Sequence, residues 1–251
     1  MLRHKFEGTI TLTFGEQSEH FRGMERQGSG LAPDGFNFQD LTEIESRFSG
    51  TGVETHLVPL HSYSGRSDAE EAYILILRNS VDAILNGYTA NDLLHEQLSL
   101  KWDNKSFMYG KVVNKHAREN LCYGTQGQDA DIAAGKGTVV PYYQAPITKT
   151  LVDNMPLYFG DKAIDIQGEG NKYFNPKNCG IGYHGDAERK RVIAIRLGQS
   201  LPLVYQWFIH NDSIGPRIDT VMNHGDIYIM SEKASGYDWK KNSIPTLRHS
   251  A

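Results

Sequence analysis

The sequence predicts an α+β protein in which a mixed amino-terminal half feeds a β-rich carboxy-terminal half. Two observations carry this expectation. Beyond residue 162 the chain breaks into short β-prone runs, AIDIQGEGNKYF, GIGYHGDAE, RVIAIRLG, LVYQWFIH, IDTVMNHGDIYIM and TLRH. Gly, Asn, Asp and Pro separate them at spacings of about eight to fifteen residues, the pattern of an antiparallel sandwich or barrel. Ahead of them, strand-like alternation and helix-like periodicity take turns.

GTITLTF (8–14) alternates apolar and polar residues and reads as a strand. Residues 15–52 are polar and punctuated by Gly28, Gly30, Gly35, Gly50 and Gly52, a loop with one short helix near 40–48. HLVPLHSY (56–63) is extended. In EEAYILILRNSVDAILNG the centre YILIL favours a strand and the tail SVDAILNG a helix. TANDLLHEQLSL (89–100) is a helix capped by Thr89 or Asn91. SFMYGKVVNK is a strand and QGQDADIAAGKG (126–137) a loop. ITKTLVDNMPLYFG (147–160) is a helix with Thr148 or Thr150 near its cap and Gly160 past its end.

The 251 residues are 39% hydrophobic and 22% charged, a globular balance that suffices for one large domain or two small ones. No apolar run approaches the ~18 residues of a membrane span, and the start MLRHKFEGTITLTFG lacks the apolar core of a signal peptide. Cys122 and Cys179 make no disulfide framework, so an intracellular protein with free thiols, cytoplasmic or nuclear, is expected. A net charge of −4 makes the chain as a whole no magnet for nucleic acid. Lys101, Lys105, Lys111, Lys115, His116 and Arg118 nevertheless crowd around Phe107 and Tyr109, either a local phosphate-binding stretch or a solvated charged face.

His-x-Asp occurs three times, at His184/Asp186, His210/Asp212 and His224/Asp226. The spacing alone decides nothing. Residues i and i+2 share one face of a strand, which is what a shared metal requires. His210 lies in IHNDSIGPR, whose Asn, Asp, Ser, Gly and Pro mark a turn. His224 lies in MNHGDIYIM, where 223–226 form a turn and Asp226 is expected to bind local backbone. His184 differs, because it ends the extended run CGIGY and precedes the strand VIAIRLG. A two-histidine, one-carboxylate iron site needs a third ligand from a distant strand. His249, in TLRHS, is the downstream histidine outside an evident turn.

EGNKYFNPKNCGIGYHGDAE, VIAIRLG and HGDIYIMSEKASGYDW together resemble the AlkB-like Fe(II)/2-oxoglutarate-dependent dioxygenases. The matching features are Asn171-x-Tyr173, His184-x-Asp186 with Glu188, Leu197-Gly198, Gly225-Asp226, Met230 and His249-Ser250. MYGKVVNKHARENLCYG is similar to the family's substrate lid, which points to Arg118 and Tyr123. The resemblance spans about residues 105–251. It implies a double-stranded β-helix (jelly-roll) core flanked by helices over 101–251, with 1–100 an α/β extension packed on it. It implies that His184, Asp186 and His249 hold Fe(II), that Asn171 and Tyr173 bind 2-oxoglutarate, and that Glu188 faces the substrate base. Arg118 and the nearby Lys115 would meet the phosphates of DNA or RNA, and Tyr109 or Tyr123 would stack on an extruded base.

Two features depart from the family's pattern. The family's 2-oxoglutarate arginine follows its third ligand, whereas no arginine follows His249 in these residues. Arg196 is the internal candidate, either facing the barrel interior, where an anion would have to pair with it, or lying outside. The local register after Trp239 also offers Lys240 and Lys241 where the third ligand is expected, in competition with His249. HGDAERKRVIAIRLG further resembles the thymidine hydroxylases of the base-J pathway. The expected function is therefore oxidation of a nucleobase or its alkyl group, as in DNA repair or thymine hydroxylation. The alternatives are the same chemistry on a protein or small molecule, or an inactive barrel that binds nucleic acid.

Overall fold

The structure is a computed structural model that describes residues 6–116, 118–175 and 179–251. Residue 117 of the lid segment and 176–178 of the NPKN stretch lie outside the described residues, as do the first five. The chain runs through β1 (Thr9–Gly15), β2 (Ser18–Glu19), β3 (Arg26–Gln27), α1 (Phe38–Phe48), β4 (Thr55–Pro59), β5 (Tyr73–Leu77), α2 (Val81–Ile84) and α3 (Ala90–Ser99). It continues through β6 (Lys105–Met108), β7 (Lys111–Asn114), β8 (Glu119–Gly124), β9 (Val139–Pro141) and α4 (Pro146–Phe159). Its last third comprises β10 (Gln167–Tyr173), β11 (Val192–Gly198), β12 (Leu201–Ile209), β13 (Asp212–Met222), β14 (Ile227–Met230), α5 (Glu232–Ser235) and β15 (Thr246–Ser250). The fold is α+β, mostly strand with few helices. No helix among the described residues is long and apolar enough to cross a membrane.

Eight strands form one sheet in the order β4-β5-β14-β11-β1-β10-β8-β9, and three form a second in the order β13-β12-β15. The period-2 pattern of the strands decides what each face touches. On β11, Ile193, Ile195 and Leu197 join Ile10, Leu12 and Phe14 of β1 in a core against α1, α3 and α4. The alternate residues Val192 and Ala194 join Tyr228, Met230 and the second sheet's Leu203, Tyr205, Trp207 and Leu247. Helices, large sheet and small sheet therefore stack as three layers, with the polar threonines of TITLTF turned toward the small sheet.

The division expected at residue 100 does not follow the sheet. β1 lies between β10 and β11, pairing Thr11 with both Asn171 and Arg196, and β4 and β5 continue the same sheet beyond β14. The segment before 100 thus supplies β1, β4 and β5 to the sheet that carries the site, pairings too remote in sequence for local patterns to reveal.

Several local expectations change for identifiable reasons. SFMYGKVVNK is a hairpin, β6–β7, because Tyr109 and Gly110 both take positive φ (53° and 75°), as a two-residue turn requires. Helix α4 is capped without Thr148 or Thr150: Pro146 opens it, and the Thr148 hydroxyl donates to Glu96 instead. The stretch 56–63 is extended only to Pro59 and then turns helically. Thr89 caps α3 through a reciprocal pair with Asp92.

Candidate metal centre

Residues 181–184 run antiparallel to the end of β15. His184 and His249 exchange both backbone hydrogen bonds (2.9 and 2.8 Å), and Ile181 pairs with Ala251 in the same way. Directly opposed residues project to one side, so the two imidazoles meet edge to face with centroids 4.5 Å apart. The next turn brings Asp186 back to them. Its backbone N–H donates to the Ser235 carbonyl, and Gly185 lies against Gly236.

Asp186 Oδ1 is 3.8 Å from His184 Nε2 and 3.5 Å from His249 Nε2. The three donors lie within 4.8 Å of one another, a cluster able to hold a metal ion. Ligand atoms ~2.0–2.2 Å from one metal stand about 3–3.5 Å apart, so little movement would close the site. The His184 Nδ1 faces the Gly182 carbonyl at 2.8 Å. A carbonyl only accepts, so Nδ1 carries the proton and Nε2 keeps its lone pair. Burial, reinforced by His249, pulls the His184 pKa down to about 4, so the ring is neutral and ready to ligate. Burial pushes the Asp186 carboxyl up, but Arg189 and His249 outweigh it and hold the group below the usual carboxylate range.

The cluster opens into a cavity of about 750 Å³ between the two sheets. Of the ten candidate residues, eight line it: His184, Asp186, His249, Asn171, Tyr173, Arg196, Arg118 and Glu188. Arg196 takes the interior position of the two left open. It is fully buried, its Nη1 donates to Thr11 Oγ1 at 2.8 Å, and its Nε has no partner among the described residues. Asn171 is already committed. Its Oδ1 accepts from Arg118 Nε (2.7 Å) and from Asn120, and its Nδ2 donates to Glu169 (3.1 Å). Glu188 pairs with Arg189 at 2.9 Å, and burial raises its carboxyl pKa. His249 is the third member of the cluster, and Lys240 also lines the cavity.

Two candidates are corrected. Tyr123 is fully buried on the helix side of the large sheet, and its hydroxyl donates to Gln97. Gly168 and Gly170 make room for its ring and for Trp102, so it reaches no base. Lys115 points inward to the Asp103 carbonyl (3.1 Å) beside Phe21 and lines no part of the cavity. Burial, against the opposing pull of Asp103, lowers its pKa to about 8. The unfolded lysine keeps its proton to about pH 10.4, so burial of the charge destabilises the fold below pH 8, and that cost fades as pH rises toward 10.4. Lys115→Met is expected to gain ~1–3 kcal/mol at pH 7. Urea melts of both proteins should show the gain shrinking steadily between pH 8 and 10.

Other residues went unforeseen. Arg189 is buried among Asp186, Glu188 and Glu169, and the loop after β2 brings Phe21, Arg22 and Met24 to the cavity mouth. Arg189 stands three residues after Asp186, which was a visible signal. The contribution of Phe21 depends on β1 being central, which was not.

No protein-family model matches the sequence. The chain is 40% identical over 245 residues to "Uncharacterized protein R156" of Acanthamoeba polyphaga mimivirus, a similarity that covers 96% of this chain and 94% of that protein. The chain belongs to that protein's family. The name of the mimivirus relative carries no activity.

Gly185 offers a direct test of the geometry. A methyl group there would fall on the Gly236 carbonyl, 2.6 Å from its carbon. Gly185→Ala must spread the turn that sets Asp186 against the histidines. Overpacking of this kind costs ~1–3 kcal/mol. Thermal melts with and without Mn(II) should show both a lower Tm and a smaller metal-induced rise than in the wild type.

Proposed function

We propose that the protein is an Fe(II)/2-oxoglutarate-dependent oxygenase of the AlkB-like kind, acting on a nucleobase or its alkyl group in DNA or RNA. One observation carries the reading. Two neutral-capable imidazoles and one carboxylate converge from remote segments on a cavity that also holds a buried guanidinium, Arg196, with no ion-pair partner among the described residues. The residues fit both groups. His184, Asp186 and His249 form the donor set of non-haem iron sites with open positions. Arg196, with the Thr11 hydroxyl beside it, would satisfy a carboxylate through charge-assisted hydrogen bonds. The facing sheets and the interior alternation of β11 and β12 support reading the core as a double-stranded β-helix.

When bound, the metal and 2-oxoglutarate would activate dioxygen, one oxygen atom entering succinate as CO2 leaves and the other entering the hydroxylated product. The protein's own residues orient and shield. Tyr173, Leu203, Val192 and Met230 wall the cavity with apolar surface that excludes water. Arg196 and Thr11 would hold a carboxylate of the cofactor. Asn171 holds Arg118 at the substrate side. Arg22 and Arg118 at the mouth, with Lys105 and Lys111 on the exposed β6–β7 hairpin, favour a substrate bearing phosphates.

The decisive assay measures succinate formed from 2-oxoglutarate with Fe(II), alone and with alkylated or thymine-containing oligonucleotides. Stimulation by an oligonucleotide, abolished in His184→Ala, is expected. Absence of succinate in the wild type under every condition would sink the proposal. Succinate formation that no oligonucleotide stimulates would favour a protein or small-molecule substrate, the reading consistent with the −4 net charge.

A further inference from the structure

We infer that Arg189 is the positioning residue of the metal centre, its buried charge drawing one oxygen of Asp186 to its own side so that the other is offered to the metal. The inference rests on the metal reading above and adds a coordination number to it. The two oxygens of Asp186 face different ways. Oδ1 is the atom near both histidine Nε2 atoms, whereas Oδ2 faces Arg189 Nε at 3.7 Å, an ion pair longer than a hydrogen bond, and that Nε has no hydrogen-bond partner among the described residues. A carboxylate free to rotate can supply two oxygens and fill two positions. One fixed on its far side supplies a single oxygen and leaves an additional position open for exogenous ligands.

Arg189 is built to resist movement. Its side chain is 2% exposed. Its Nη2 donates to Glu169 Oε2 at 2.8 Å and to Glu188 Oε1 at 2.9 Å, and its backbone N–H donates to the Asp186 carbonyl at 3.1 Å. Glu169 is anchored in turn, accepting from the Glu19 backbone N–H (2.8 Å) and from Asn171 (3.1 Å). On the far side the guanidinium stem lies along Gly15, where an added Cβ would come 3.1 Å from Arg189 Cδ. The charges also fit. Three carboxylates against one guanidinium leave −2, which a divalent cation balances. Without the arginine the excess is −3, and Asp186 loses the group on its second oxygen. A role in charge balance alone would be replaceable by neutralising a neighbouring carboxylate, whereas a role in orientation would not.

That difference defines the test. Glu169→Gln/Arg189→Gln restores the −2 balance without the crossbar, and Arg189→Lys keeps the charge but not the fork. Each is titrated anaerobically with Mn(II), with circular dichroism to confirm folding and the Mn(II) electron paramagnetic resonance spectrum as readout of ligand symmetry. The double variant is expected to bind Mn(II) about 10–100-fold more weakly, with an altered spectrum. Arg189→Lys should fall between it and the wild type. Wild-type affinity and spectrum in the folded double variant would overturn the inference. If the double variant does not fold, an unchanged spectrum and affinity in Arg189→Lys overturns it instead. Failure of the wild type to bind Mn(II) overturns the metal reading and this inference together, which separates the two.

Discussion

Anaerobic titration with Fe(II) or Mn(II) is expected to load one equivalent onto the wild type and none onto Asp186→Ala at the same concentration. Asp186 is the only anion in the ligand cluster. Its removal leaves two imidazoles and a nearby cation, Arg189, without the carboxylate between them. Both changes oppose a divalent cation, so the loss should exceed the 10–100-fold typical of a supporting residue. The measurement can be made on the fold itself. A metal at 100 times its Kd adds about 2.7 kcal/mol of stability. In a chain of this size that is a Tm rise of roughly 5–10 °C. An equal rise in wild type and Asp186→Ala would mean that the metal binds elsewhere.

The second large effect concerns Arg196 and has two opposite signs. The guanidinium is fully buried with a single hydroxyl partner, Thr11. Replacing a buried, poorly paired charge by a hydrophobe of similar volume commonly gains ~1–4 kcal/mol. Arg196→Met should therefore melt higher than the wild type in the absence of ligand. It should also lose 2-oxoglutarate affinity by about 30–140-fold, the order expected when a charge-assisted pair worth ~2–3 kcal/mol disappears. Calorimetric titration of the Mn(II)-loaded proteins reads the affinity, and scanning calorimetry of the ligand-free proteins reads the stability. A variant that melts lower and binds equally well would assign Arg196 to the scaffold.

What the sequence revealed of the site follows from the range of each signal. Turn chemistry acts locally, so it removed the two competing His-x-Asp pairs correctly. His210 and Asn211 take positive φ (51° and 68°) in the β12–β13 turn, and Asp226 accepts from the backbone of Asn223 and Asn79. Strand alternation is also local, and it put Arg196 opposite Ile193 and Ile195. Neither signal reports which strand lies beside which. The burial of Tyr123 depends on Gly168 and Gly170 being its cross-strand neighbours, and the inward turn of Lys115 depends on Asp103. The role of residues before 100 was illegible for the same reason, since pairing over such separations leaves no periodic trace.

The central place of β1 has a consequence for how the molecule comes into being. During synthesis TITLTF emerges well before its partners, β10 and β11, which lie more than 150 residues later. At ~5–20 residues per second the ribosome leaves this strand waiting on the order of ten to forty seconds. It waits uncharged, β-prone and open along both edges, the composition that invites pairing with other chains. The site's floor, Thr11 and Thr13, is thus laid down by the segment most exposed to misassembly. Yield from cells should respond more to holdase chaperones and slower translation than to any change at the metal ligands.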